Sequence, residues 1–347
     1  MAFTAKHGQP VSASEIVMIG PSFVDDLLVP VEQEMRRRGA KVIRFADADE
    51  VRANPAPMAS MDVLFAVGMY PCTRELMAAA AQLRAVISPF TGTEGFDERA
   101  ATELGIVVGN GQTSDNYNSM AEAAIMLILM SLYDVQRTQK VLRENLPRPH
   151  EAELNARTLR GKTVGLIGFG KINQSIAAKL ENWGVKIQAA VRRQPASVPS
   201  NVTIVTLDNL LATSDIVVLA VDLNASTRGM LNAERLEKIK PGAMFVNVCR
   251  GSIVDEAALV RLVKSGRIAA LALDAFDTYP LPPDSPLRDL PRTILTPMIV
   301  GHTQETTAGL PVAAIESITR VLAGKPPLYV RNPEVLPAWQ KRWSKAG

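Results

Sequence analysis

Short apolar or β-branched runs alternate along this chain with segments of helical length, and that alternation is the pattern of parallel βαβ units. Glu15 to Gly20, Lys41 to Ala46, Val63 to Gly68, Ala85 to Ser88 and Ile106 to Gly109 predict five strands of a first sheet. Val24 to Arg38 and Thr73 to Ala81 predict helices between them. A longer helical pattern runs from Ser119 to Lys140, and the Pro147, Arg148, Pro149 stretch after it predicts a linker. A second series follows: Thr163 to Ile167, Lys186 to Val191, Thr203 to Thr206, Asp215 to Val221, Met244 to Cys249, Ala270 to Ala275 and Thr293 to Pro297. Seven strands with intervening helices make a doubly wound sheet wide enough for a dinucleotide. Glu305 to Leu322 then predicts a helix, and Trp339 and Trp343 stand at helical spacing in the tail.

At 347 residues the chain exceeds what one hydrophobic core usually organises, so two domains are expected. Hydrophobic residues at 47% and charged residues at 21% leave enough apolar material for real cores. A formal net charge of +3, with Lys and Arg scattered rather than clustered, speaks against nucleic acid and for a small-molecule partner. The longest apolar runs, Ile216 to Val221 and Ala123 to Met130, fall far short of the roughly 20 residues of a membrane span. Met1 to Ser14 lacks the apolar centre of a signal peptide. Cys72 and Cys249, far apart, support neither a disulfide framework nor a cysteine zinc site. The expectation is a cytoplasmic protein without membrane association or a metal.

Val164-Gly165-Leu166-Ile167-Gly168-Phe169-Gly170 is an apolar strand running into a glycine turn, and Lys171 to Trp183 continues as a helix. Gly168 permits the tight turn and Gly170 lets the backbone approach a pyrophosphate, which then sits on the helix N-terminus near Lys171 and Ile172. The third fingerprint position is Asn173 rather than Gly, which predicts slightly wider packing of helix on strand. The next strand ends Ala190-Val191-Arg192-Arg193, where NAD-binding proteins carry an acid for the ribose hydroxyls. Two guanidinium groups suit a ribose 2′-phosphate, so NADP(H) is expected over NAD(H), which stays possible. The plain alternative is a solvated surface turn.

Four segments together resemble the D-isomer-specific 2-hydroxyacid dehydrogenases. They are Leu159 to Gly170, Pro241 to Glu256 with its Arg250-Gly251, Leu273-Asp274-Ala275-Phe276 followed by Pro280-Leu281-Pro282, and Leu295-Thr296-Pro297. The resemblance implies an α/β protein with a Rossmann-type dinucleotide domain over 119–304. That domain would be inserted into a smaller flavodoxin-like substrate domain made of 1–118 and 305–347. It also implies an active site in the cleft and a homodimer, with the long helix from Ser119 supplying much of the interface. Arg250 falls on the family's Arg, which holds the carboxylate and carbonyl oxygen of an anionic substrate. Asp274 falls where the family contacts the nicotinamide carboxamide, and Phe169, Val221, Val248 and Cys249 fall among the cofactor-binding positions. Thr91 and Gly92 lie in the loop whose backbone N–H groups receive the substrate carboxylate. Phe90 stands there in place of a usual Gly, and Met69, Tyr70 and Met298 suggest with it an apolar or aromatic wall.

The resemblance breaks at the proton relay. Hydride transfer to or from a 2-hydroxy acid needs a proton carrier beside the hydroxyl, and His suits because its pKa lies near working pH. The family's Glu position is Tyr279 and its His position is Met298, whose thioether cannot carry a proton. His302, four residues on, and the phenol of Tyr279 are the nearby substitutes; His7 and His150 are discounted by their places in the chain. Three readings stay open: an oxidoreductase with altered acid/base residues, a nonredox lyase or hydrolase on the same fold, and a catalytically silent NADP-binding regulator.

Overall fold

In the computed structural model the described residues are 14–151 and 156–343; His7 lies outside them. The chain divides into two compact units, Met1–Asn116 with Thr303–Gly347 and Tyr117–His302.

The first unit holds five parallel strands: β1 (Glu15–Ile19), β2 (Lys41–Phe45), β3 (Val63–Ala66), β4 (Ala85–Ile87) and β5 (Val107–Gly109). Their order, β2-β1-β3-β4-β5, is the flavodoxin-like one. Because side chains alternate across a strand, Ile16 and Met18 enter one core while Val17 and Ile19 enter the other, so both faces are covered. The tail completes the first of these cores. Trp339, on the helix Leu336–Trp343, is fully buried and its Nε1 donates to the Arg84 carbonyl at 2.7 Å.

The second unit holds β6 (Thr163–Ile167), β7 (Lys186–Ala190), β8 (Val202–Val205), β9 (Ile216–Leu219), β10 (Ala243–Asn247), β11 (Ile268–Leu273) and β12 (Thr293–Leu295). All pair in parallel in the order β12-β11-β10-β9-β6-β7-β8. The order therefore reverses between β6 and β9. A parallel sheet binds ligands beyond its strand carboxyl ends at such a switch point.

The long helical pattern is not one helix. A first helix spans Ser114–Leu132 and a second Val135–Arg143, bent by 62° from the first. Between them Asp134 takes a left-handed conformation at φ 49°, which a short polar side chain tolerates better than a branched one. The Ser119 to Lys140 expectation fails there because one residue's backbone region interrupts a pattern that continues on both sides. Among the described residues no single helix is long and apolar enough to cross a membrane.

Candidate active site

Every cofactor position expected from the sequence stands in the second unit at or near a strand's carboxyl end. Beyond β6, Gly168 turns the chain at φ +85°, and a Cβ there would come within 2.5 Å of Val221 Cγ1. Gly170 starts the helix Lys171–Lys179, and a Cβ on it would meet no atom within 4 Å. That open face, beside N–H groups that the first helical turn leaves without intrahelical partners, is what a pyrophosphate requires.

Asn173 does more than fill the third glycine position. Fully buried, it donates through Nδ2 to the carbonyls of Ile167 and Gly168 at 3.0 and 2.8 Å, and Gln174 Nε2 donates to the Phe169 carbonyl at 2.9 Å. Three successive carbonyl dipoles are thereby held by side-chain amides, away from any bound anion. Asn173 thus clasps the turn, where the sequence suggested only wider packing.

Past β7, Arg192 and Arg193 are both exposed, and Arg192 Nη1 donates to Ser226 Oγ at 2.5 Å. Past β10, Asn247 is buried and ties the next residues together. Its Oδ1 accepts from the Cys249 N–H at 3.0 Å and the Cys249 thiol at 3.2 Å, and its Nδ2 donates to the Arg250 carbonyl at 3.1 Å. Burial pushes the Cys249 thiol up to about 11, so it is a neutral donor near pH 7. Val248 beside it is buried. Arg250 is half-buried and extended, with Nη1 donating to the Cys249 carbonyl at 2.8 Å. Gly251 then lies against the backbone of Phe276 and Asp277, where a Cβ has no room.

Past β11, Asp274 is buried and organises the loop after β12. Its Oδ1 accepts from Thr296 Oγ1 at 2.7 Å and from the N–H groups of Ile299 and Val300, each at 3.2 Å. Burial raises the Asp274 carboxyl above its ordinary range, and these hydrogen bonds and the nearby His302 oppose that rise. Met298 is held within this loop in the left-handed region at φ 62°. The loop is also anchored at Gly301, whose carbonyl accepts from Ser119 Oγ at 2.7 Å. Tyr279 is 56% exposed and its hydroxyl donates to the Pro297 carbonyl at 3.3 Å, one residue before Met298. The two residues at the relay positions are therefore neighbours, and His302 is exposed at the end of the same loop.

The first unit presents a second clasped loop after β4. The carbonyls of Phe90, Thr91 and Gly92 accept from the Gly111 N–H at 2.9 Å, Asn110 Nδ2 at 2.8 Å and Ser88 Oγ at 2.8 Å. Thr91 Oγ1 donates to Asn116 Oδ1 at 2.8 Å. Phe90 is half-buried and packs on the core that contains Ile87 and Leu310. Met69 is 80% exposed, but Tyr70 is only 7% exposed and belongs to the core with Cys72 and Phe96. Tyr70 is thus a core residue, contrary to its place in the expected substrate wall, because the turn after β3 directs its ring inward.

The model of the D-isomer specific 2-hydroxyacid dehydrogenase NAD binding domain matches residues 125–299. The chain belongs to the D-isomer-specific 2-hydroxyacid dehydrogenase family. It is 35% identical to a glyoxylate reductase of Thermofilum pendens over 269 residues, 76% of this chain and 78% of that protein. It is 32% identical over 290 residues to the D-3-phosphoglycerate dehydrogenase of Mycobacterium leprae, covering 82% of this chain but 53% of that one. The chain thus spans about half the length of the phosphoglycerate dehydrogenases it matches. A crystal structure of a glyoxylate reductase from Paecilomyes thermophila superposes with a TM-score of 0.81, at 25% identity, over 92% of this chain and 98% of that one. For this dehydrogenase-family chain, Asn173, Gln174, Asn247, Ser88 and Asn110 are the positioning residues that sequence reasoning missed. Their common signal is an amide or hydroxyl side chain at or just beyond a strand's end or in the first helical turn.

Proposed function

We propose that this protein is a nicotinamide-dependent oxidoreductase acting on a small carboxylate-bearing 2-keto or 2-hydroxy acid, with its proton relay altered. The observation that carries the reading is the clasped glycine turn at the carboxyl end of β6, with Gly168 at φ +85° and space beside Gly170. Bound nicotinamide dinucleotide supplies the hydride donor or acceptor. Gly168, Phe169, Gly170, Lys171 and Ile172 hold its pyrophosphate by backbone N–H groups, while Val221, Val248, Cys249 and Asp274 line the way to its nicotinamide end. Arg250 anchors the substrate carboxylate.

NADP(H) is the cofactor this chain favours. The Arg192 contact is to a neutral hydroxyl, so its charge stays available to a 2′-phosphate. NADPH should bind more tightly than NADH in calorimetric titration, and Arg192→Ala should cut that preference at least about tenfold, since a charge-assisted contact contributes about 1.5–3 kcal/mol. Equal affinity of the native protein for both cofactors refutes the preference.

The working state is a homodimer. The helix Val135–Arg143 buries none of its residues in this chain, while Leu142 is 85%, Tyr133 49% and Leu146 46% exposed. Sedimentation equilibrium should return twice the mass of the chain, and Leu142→Glu should shift it towards monomer. A native monomer at micromolar concentration sinks this assignment.

Nonredox and silent readings are separated by turnover. A cofactor-loaded protein that converts any 2-keto acid, slow turnover included, with stoichiometric oxidation of NADPH is a dehydrogenase; conversion without net oxidation favours the nonredox reading, and no conversion of any acid, those bulkier than glyoxylate included, favours the silent one.

A further inference from the structure

We infer that the protein reduces the imine that a 2-keto acid forms with ammonia or a primary amine, giving a 2-amino acid or its N-alkyl derivative. The inference rests on the nicotinamide-dependent reading above and names the substrate that the altered relay suits.

A keto acid that accepts hydride becomes an alkoxide unless a proton arrives with it, which is why a positioned acid contributes about 100-fold to 10,000-fold. The thioether of Met298 has no proton to give, and the Tyr279 hydroxyl commits its proton to the Pro297 carbonyl at 3.3 Å. His302 is exposed and follows Gly301, whose carbonyl is pinned by Ser119 Oγ at 2.7 Å, so it stands beyond the anchored end of the loop. A protonated imine needs none of these groups, because the proton is already on its nitrogen. Its carbon accepts hydride from the bound nicotinamide, a C–H bond forms, and the C=N π pair becomes the nitrogen lone pair. Two electrons and one hydrogen come from NADPH, the iminium charge is cancelled, and no acid enters the step.

The charges around the relay positions favour the same substrate. Arg250 takes the carboxylate, which the imine and the parent acid share. The turn that carries Arg250 touches the segment that carries Tyr279, since Gly251 lies against the backbone of Phe276 and Asp277. That segment is flanked by two carboxyl groups. Asp277 is exposed, and the half-buried Glu256 accepts from the Asp277 N–H through Oε1 at 2.6 Å. Burial raises the Glu256 carboxyl above its ordinary range; the bond from the Asp277 N–H opposes that rise and the Asp277 charge adds to it. A cation is drawn to such a segment, and a developing alkoxide is repelled. At the relay positions themselves a charged imidazole would repel an iminium. The thioether of Met298 is neutral and polarisable, and the ring of Tyr279 has a face that attracts cations.

The test gives native protein, loaded with whichever of NADPH and NADH it binds more tightly, glyoxylate, pyruvate or phenylpyruvate. Each acid is supplied alone, with methylamine, and with trimethylamine, at one pH and one ionic strength. Methylamine condenses with the acid, whereas trimethylamine has no N–H to lose and acts only as a proton source. Because bypassing the missing acid recovers a factor of about 100 to 10,000, methylamine should raise cofactor oxidation at least about tenfold even where a minor part of the acid is imine. Trimethylamine should raise it little, and mass spectrometry should show the N-methyl amino acid as product. Calorimetry supplies a readout without turnover: protein loaded with the oxidised cofactor should bind N-methylalanine several-fold more tightly than lactate. The paired change Tyr279→Glu with Met298→His should shift the preference back towards the keto acid. Equal rates with and without methylamine, equal gains from both amines, or the 2-hydroxy acid as product overturn the imine assignment and leave the dehydrogenase reading standing. No oxidation of bound cofactor with any acid, amine present or not, overturns both.

Discussion

Replacing Arg250 by Ala should lower the affinity of the cofactor-loaded protein for 2-keto acids by at least about 100-fold. A guanidinium gripping a carboxylate makes two parallel charge-assisted bonds, each contributing about 1.5–3 kcal/mol. Cofactor affinity and Tm should move far less than substrate affinity, because the turn is also held through its backbone. The backbone of Arg250 is held by Asn247 Nδ2 on its carbonyl at 3.1 Å and by Gly251 lodged against Phe276 and Asp277. The side chain donates through Nη1 to the carbonyl of its own neighbour, Cys249, at 2.8 Å. Arg250→Lys should recover only part of the loss, since an ammonium is a single point of charge and cannot match a planar carboxylate with a fork. Quenching of NADPH fluorescence on titration with acid reads the binding, and a thermal melt reads the fold. A fall of many degrees in Tm with substrate affinity unchanged would make Arg250 a structural residue.

The strands were legible because parallel strands covered on both faces are written as short, nearly unbroken apolar runs. Val63–Ala66 and Ile216–Leu219, buried along their whole lengths, are such runs. The break at Asp134 was not legible, since it turns on a single φ value inside an apolar pattern that runs straight through. Tyr70 misled for a related reason: an aromatic residue after a strand reads the same whether its ring faces solvent or core, and only the packing with Cys72 and Phe96 decides.

The candidate site divides along similar lines. Gly168 could be found because a positive φ favours one residue type, and Gly170 because it stands in the glycine fingerprint between strand and helix. The clasps could not, because Asn173, Asn110 and Ser88 act through carbonyls that side-chain identity does not announce. Yet two loops, one in each unit, arrive at one device. Ile167, Gly168 and Phe169 in one, and Phe90, Thr91 and Gly92 in the other, have their carbonyls bonded in succession. A loop meant for an anion gains from this, since a carbonyl dipole that swung outward would oppose the charge that the neighbouring N–H groups attract.

Native protein loaded with NADPH should reduce glyoxylate, hydroxypyruvate and pyruvate slowly or not at all, and the paired change Tyr279→Glu with Met298→His should raise that rate by about 100-fold to 10,000-fold. The thioether of Met298 cannot carry a proton, and the Tyr279 hydroxyl gives its proton to the Pro297 carbonyl at 3.3 Å. That same bond places the end of the Tyr279 side chain at the peptide that joins Pro297 to Met298, so a Glu and a His introduced there start close in space. The loop that would carry the His is held independently of the exchange, by Asp274 Oδ1 on Thr296, Ile299 and Val300 and by Ser119 on the Gly301 carbonyl. Met298 already holds φ 62°, and His is among the residues that tolerate this region better than most. Each single change should do less than the pair, because a His without its carboxylate is untuned and a Glu without its His has nothing to tune. The gain should appear in kcat more than in KM, since Arg250, not the relay, grips the ground-state carboxylate. It should also bring a new pH dependence near the His pKa, which added packing alone would not create. Steady-state rates at several pH values, followed by NADPH absorbance, measure both. Native turnover at ordinary dehydrogenase rates would show that a relay is already present and direct attention to His302. Inactivity of both the native protein and the double variant would mean that more than the relay has diverged and that acid and nicotinamide are no longer brought into line.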